Sequence, residues 1–142
     1  LNKFYDESSS KTKKVGNDYI ILRYADVLLM YAEALNEIGY SASGDALKYL
    51  NEVHERAGLS ALTSADLPDQ ATFRNAILIE RQLEFPFEGH RWFDLVRTGS
   101  AKVEMAKNGI NVDEFRYIYP VPQSEIEKMN NKNIFDQNPG YN

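Results

Sequence analysis

Between Glu80 and Gly99 the chain alternates charges with bulky aromatics. On a helix of 3.6 residues per turn, Phe73, Ala76, Ile77, Leu83 and Phe87 share one face, and Glu80 and Glu84 fall in the middle of it. A carboxylate on an apolar stripe must protonate or find a partner. Arg81, His90, Arg91 and Arg97 are close in sequence, and Asp94 follows one turn after His90. The stretch therefore predicts a structural ion-pair knot of Glu80, Arg81, Glu84, His90, Arg91, Asp94 and Arg97 between packed helices.

A chain of 142 residues fits one domain, and 43% hydrophobic with 12% aromatic residues suffices for a core. The net charge of −5 argues against nucleic acid as a partner. The one basic cluster, Lys11 to Lys14, sits in a Ser-rich stretch and reads as a solvated loop. No cysteine is present, which excludes disulfides, thiolate metal sites and a lipid-bearing cysteine within this chain. No apolar run approaches the roughly 18–20 residues of a membrane span.

Residues 1–17 lack periodicity and read as a loop. A helix is predicted from Leu22 to Ile38, closed by Gly39 as a C-cap. Ala25, Leu28, Ala32 and Leu35 form its central stripe, widened by Ile21, Tyr24, Leu29 and Tyr31. Arg23, Asp26, Met30, Glu33 and Glu37 make its polar face, on which Asp26, Glu33 and Glu37 form an acidic strip. A helix this broadly apolar is usually covered on two sides. Ser43 is the expected N-cap of a second helix, about Gly44 to Ala57, that ends at Gly58. Residues 58–70 read as a linker. A third helix runs from about Ala71 to Phe85, where Pro86 imposes a stop or kink. Short helices are expected at His90 to Arg97 and Ala101 to Lys107. Phe115 to Val121 is β-leaning, and Gln123 to Met129 allows a last helical turn or two. The tail from Asn130 is polar.

The pattern gives an all-α fold: a tetratricopeptide-like helical hairpin over 18–58, a helix pair with the charged-aromatic motif over 71–99, and loops and short helices over 100–142. The hairpin resembles a tetratricopeptide repeat because small and large residues alternate by turns, Leu28, Ala32 and Leu35 facing Ala46, Leu50 and Val53. One hairpin cannot bury both of its faces, so it needs neighbours.

Longer motifs point further. Leu22-Arg-Tyr-Ala-Asp-Val-Leu-Leu-Met-Tyr-Ala-Glu-Ala-Leu-Asn36 is similar to the repeat helix of the SusD/RagB family. Tyr49-Leu-Asn51 and Arg56-Ala-Gly-Leu59 continue the match. So do Glu80-Arg81, Glu84, Phe87-Glu-Gly-His-Arg-Trp-Phe-Asp-Leu-Val-Arg97, Tyr119-Pro-Val-Pro-Gln123, Glu125-Ile126 and Gln137-Asn-Pro-Gly-Tyr141. The resemblance runs from Asp18 to the end; Pro86 departs from the pattern. It implies the carboxy-terminal portion, here 1–142 as a single domain, of an outer-membrane, cell-surface lipoprotein. Such a protein binds an oligosaccharide or other nutrient and partners a SusC-like TonB-dependent transporter. The lipid anchor would lie outside this chain, and no cofactor is implied.

The residues also allow two other readings: a generic tetratricopeptide-type protein–protein interaction module, and an α-helical glycan hydrolase. A hydrolase would need two carboxylates flanking a cleft. Glu80 and Glu84 are spaced for that but lie on a packing face, so no catalytic residue is assigned. His90 with Asp94 could begin a metal site, but no third ligand has sensible spacing, and no metal is assigned. Trp92, the sole tryptophan, with Tyr117 and Tyr119, are the ligand-binding candidates, with Tyr141 beside them as a surface aromatic.

Overall fold

A computed structural model of the chain describes residues 4–6, 16–129 and 136–141. The basic cluster Lys11 to Lys14 and the start of the polar tail at Asn130 lie outside the described residues. The described residues form helices and no strand, and they fall into two compact units, Leu1–His90 and Arg91–Asn142.

In the first unit three helices share one core: α1 (Tyr24–Ile38), α2 (Asp45–Arg56) and α3 (Gln70–Glu84). Leu28, Leu29 and Ala32 from α1 meet Ala46, Leu50 and Val53 from α2 and Phe73 and Ile77 from α3, with Leu67 and Phe85 closing the cluster. The spacing of these residues at three and four positions puts them on one face of each helix, and excluding that face from water drives the packing.

The caps differ from expectation in two places. Gly39 ends α1 in an extended conformation, φ 178, and donates its N–H to Leu35 O at 3.1 Å; no left-handed residue is involved. At the start of α2, Gly44 rather than Ser43 takes the N-cap and makes no side-chain bond. Its N–H donates to Ser41 O at 3.2 Å, which moves the helix start one residue on. The end of α2 follows the sequence. Gly58 has φ +86, its N–H donates to Glu55 O and that of Leu59 donates to His54 O, the paired bonds of a Schellman motif. At α3, the Asp69 carboxylate accepts the Thr72 N–H at 2.8 Å as N-cap.

The linker expected over 58–70 is pinned to the helices by hydrogen bonds. The Asn51 side-chain amide donates to Leu62 O and accepts the Leu62 N–H, both at 2.8 Å. The Tyr40 hydroxyl donates to Leu67 O, and Leu67 is itself buried. Asn36 and Gln70 exchange side-chain-to-carbonyl bonds of 3.2 and 2.7 Å, joining the end of α1 to the start of α3.

Past Glu84 the chain cannot continue as helix, because Pro86 lacks a backbone donor. Phe85 to Glu88 instead close a turn in which Glu88 N–H donates to Phe85 O at 3.2 Å. Pro86 sits at its second position and Phe87, φ +64, at its third, the type II pattern. Phe87 therefore leaves the helical phase and is 74% exposed; Leu83 is exposed too. Both had been expected on the packing face. Leu83 points about 100° away from Glu84 around α3, which puts the carboxylate inward and the leucine outward.

The second unit holds α4 (His90–Arg97), whose first residue is the boundary, then α5 (Ala101–Ala106), a 3₁₀ turn (Glu114–Tyr117) and α6 (Gln123–Met129). The β-leaning reading of Phe115 to Val121 is overturned. The backbone there is satisfied by side chains of the terminal segment, not by a second strand. Gln137 accepts the Val121 N–H at 2.7 Å and donates to Val121 O at 2.9 Å. Asn138 donates to Tyr119 O, and the Tyr141 hydroxyl to Ile118 O. Gly140, φ +92, lets the tail come close, since a Cβ there would lie 2.5 Å from the Phe115 ring.

The α1–α2 crossing depends on a small residue. Ala32 is fully buried in the core cluster between the two helices. Ala32→Leu should overpack the crossing and cost roughly 1–3 kcal/mol in a urea titration. A midpoint unchanged from the parent chain would show that the helices separate freely there.

Candidate functional site

The most concentrated chemistry in the first unit is a group of ion pairs at the end of α3. Asp26 of α1 accepts from Arg81 Nη1 at 2.6 Å, with side chains only 5% and 6% exposed. Glu80 Oε2 lies 2.7 Å from His54 Nδ1 of α2. Glu84 lies between two guanidiniums, Arg23 at 2.5 Å and Arg56 at 2.5 Å. Arg23 also forks onto both oxygens of Glu88, at 2.9 and 3.2 Å from Nε, and its Nη2 donates to Glu84 O. The Glu88 side chain is 1% exposed.

Phe85 sits in the middle of this group. The Arg23 guanidinium carbon is 4.5 Å from its ring centroid, that of Arg81 is 5.2 Å away, and the His90 ring is 4.9 Å away. Cations over an aromatic face are attracted by its quadrupole, so burying the ring helps to hold the charges. Burial disfavours the charged form of Arg23, but its hydrogen bonds to Glu88 and Glu84 outweigh that, and its pKa lies above the ordinary arginine value.

The structure thus brings Glu80, Arg81 and Glu84 together with Arg23, Asp26, His54, Arg56 and Glu88, partners that reading along the sequence did not supply. Asp26 was expected on the polar face of α1 and in an acidic strip; it is buried. Its position one helical turn before the core residue Leu29 was the available signal, because a carboxylate there borders the apolar face. Glu37 of the same strip is held across the surface by a two-pronged pair with Arg74 of α3, at 2.7 and 2.6 Å. That fork is the main cause of the lowered pKa of Glu37. In the second unit Asp94 pairs with Arg97 at 2.9 Å, and Arg91 lies 3.8 Å from Glu104.

The aromatic candidates also belong to the second unit. Trp92 is half-buried, its ring edge-on to Tyr117 at 6.0 Å between centroids. Tyr119 is 64% exposed, and Tyr141 packs edge-on to Phe115 at 5.1 Å. Tyr119 offers the most open ring of the three ligand-binding candidates. Among the described residues no group of three or more His, Asp or Glu side chains is placed to hold a metal ion, and no helix is long and apolar enough to cross a membrane. The carboxylates of the α3 group face cations.

Comparison with known proteins places this architecture. The SusD family profile matches residues 1–141. The chain is 37% identical to SusD-like protein P2 of Formosa agariphila over 91% of its own length and 27% of that protein's. It is 33% identical to the starch-binding protein SusD of Bacteroides thetaiotaomicron, over 87% of this chain and 22% of that one. A crystal structure of a SusD superfamily protein from Parabacteroides distasonis superposes with a TM-score of 0.77 at 27% identity, covering 99% of this chain and 31% of the other. The chain spans about a quarter of the length of the curated relatives it matches.

The geometry separates two kinds of ion pair by their cost of loss. Asp26→Ala leaves the Arg81 guanidinium in the interior without this carboxylate and should cost about 3–5 kcal/mol. Glu37→Ala, at an exposed pair, should barely move the denaturation midpoint. Equal losses in parallel urea titrations would mean that Asp26 and Arg81 are solvated.

Proposed function

The chain belongs to the SusD family, and on that premise we propose that it is the scaffold portion of a cell-surface protein that binds glycans or related nutrients for uptake through a TonB-dependent outer-membrane transporter. The observation that carries the reading is the match over nearly the whole chain to a family whose Bacteroides thetaiotaomicron member is named for binding starch. In this reading residues 1–142 act as one carboxy-terminal domain of a longer polypeptide. That polypeptide sits on the outer membrane through a lipid anchor borne elsewhere in it.

The role is support rather than chemistry. Glu80 and Glu84 near the end of α3 are held by His54 and Arg56 of α2 and by Arg23 just before α1. A proton-transferring carboxylate needs access to substrate, and these are committed to holding helices together. We therefore read the domain as non-catalytic. Trp92, Tyr117 and Tyr119 are its best points of contact with a sugar, since a sugar ring can lie against an aromatic face. Of these Tyr119 is the most open.

Two measurements test the reading. Calorimetric titration of this chain against a panel of oligosaccharides should give no micromolar affinity, because only one of the three candidate rings, Tyr119, is open, and one ring is a poor platform. Micromolar binding to the chain alone would place the ligand site within it. The product of the complete gene should bind a glycan and co-purify from outer membranes with a transporter of about its own abundance. Failure of both would remove the uptake role.

A further inference from the structure

Asn108-Gly109 is the only Asn-Gly pair in the chain, and both residues are exposed. They close α5 as its cap. The N–H of Gly109 donates to Ala106 O at 2.9 Å and that of Ile110 to Met105 O at 3.1 Å, while Gly109 takes φ +73. The Asn108 side-chain amide donates to Glu104 O at 3.3 Å. We propose that Asn108 is a self-modification site, at which the Gly109 nitrogen attacks the Asn108 side-chain carbonyl and the cap amide becomes a carboxylate. The bond from Gly109 N to Asn108 Cγ forms, the Cγ–Nδ2 bond breaks, and Nδ2 leaves as ammonia with the proton of the Gly109 amide. Water then opens the five-membered imide. Addition at Cγ gives aspartate. Addition at the backbone carbonyl carbon of residue 108 gives isoaspartate, whose chain runs on through the β-carbon.

The following residue selects this asparagine. Gly109 has no side chain to obstruct the attacking nitrogen, and the space where a Cβ would stand is open. Asn111 is exposed too, but its successor Val112 is buried and β-branched. Asn138 precedes Pro139, which has no N–H to give up. Asn51 is held at both ends of its side-chain amide by Leu62. The closed cap also governs when the reaction runs. Both reacting groups are engaged in it, Gly109 N–H with Ala106 O and Asn108 Nδ2 with Glu104 O, so the attack proceeds from the opened end of α5. Helix ends open at little cost. The product then opposes closing. It places a negative charge at a helix C-terminus, where the partial charge is already negative. It also stands one turn after Glu104, a like charge at the spacing where side chains meet. Fraying of α5 is thus recorded as a covalent change that keeps the end of the helix loose.

Peptide mapping of this chain by mass spectrometry after storage at mildly alkaline pH tests the site. Exchange of amide for acid should appear first at Asn108, as an aspartate and isoaspartate pair resolved by chromatography. In denaturant at the same pH the exchange should run roughly five- to tenfold faster, a factor set by the fraction of time a helix end is open. Gly109→Ala should slow it in the denatured chain, where only obstruction by the new methyl group counts. Asn108→Asp mimics one product. Its amides at 108–110 should exchange with solvent faster than those of Asn108→Ala, which loses the side-chain bond without adding a charge. Another asparagine reacting ahead of Asn108, or none reacting at all, overturns the site. Equal rates with and without denaturant, or equal amide exchange in N108D and N108A, overturn its coupling to α5.

Discussion

The guanidinium of Arg23 is the point on which the first unit turns. It precedes α1, yet its bonds reach the last residue of α3 and the turn beyond. One planar group donates to the Glu84 carboxylate, to the Glu84 carbonyl and to both oxygens of Glu88. The last carbonyls of a helix have no partner within it, and the end carries a partial negative charge. A cation there satisfies a carbonyl and meets favourable electrostatics at once. Arginine suits the place better than lysine, because its rigid planar fork serves all four of these oxygens at once. With α3 tied in this way to the start of α1, both helices turn their hydrophobic faces to the one core they share with α2.

Buried ion pairs rarely add net stability, because desolvation offsets the attraction. Their value in this unit lies in specificity. Asp26 admits a cation at one height on α1, Glu80 meets the imidazole of one residue of α2, and Glu84 takes two guanidiniums, one on each oxygen. A slip of α3 by one residue along its axis would strand several charges in the interior. The apolar core of leucines, valine and alanines would tolerate such a slip far better. The helix register is thus set by polar pairs and the compactness by apolar area.

How much of this could be read from the residues differs by element. The α1–α2 hairpin, the stop at Pro86 and the close of α2 at Gly58 were legible, because each depends on local chemistry within a few positions. The inward turn of Glu80 and Glu84 was legible from the helical period alone. Their partners were not: Arg23, His54 and Arg56 lie 26 or more positions away from the groups they meet, and periodicity carries no information at that range. Asp26 was misplaced for the same reason, since its burial makes sense only once Arg81 is opposite. The β-leaning reading of Phe115 to Val121 failed differently. β-leaning residues still need a partner for their backbone, and Gln137, Asn138 and Tyr141 supplied one through side chains. The exposed aromatics are a third kind of difference. Breadth of the apolar face of α1 was read correctly, but a wide stripe says how much surface asks to be covered and not what covers it.

Phe87 shows how the charged group reaches the surface. The third position of a type II turn favours glycine or asparagine, because φ is positive there. A phenylalanine in that conformation costs of the order of 1–3 kcal/mol and persists only where its surroundings over-determine it. The surroundings do so here. Pro86 fixes the φ of the preceding position. Phe85 is buried among Arg23, Arg81 and His90, and Glu88 is gripped by the Arg23 fork on the other side. Tyr19 adds a hydroxyl bond to Glu88 O at 3.3 Å, close enough to Gly89 that a Cβ there would stand 3.3 Å from it. The residues on either side are thus held by the interior, and the one between them is left pointing outward. The same ion pairs that set the register of α3 thereby leave an aromatic side chain exposed to solvent, and the strain of the turn is sustained by the network that fixes the fold.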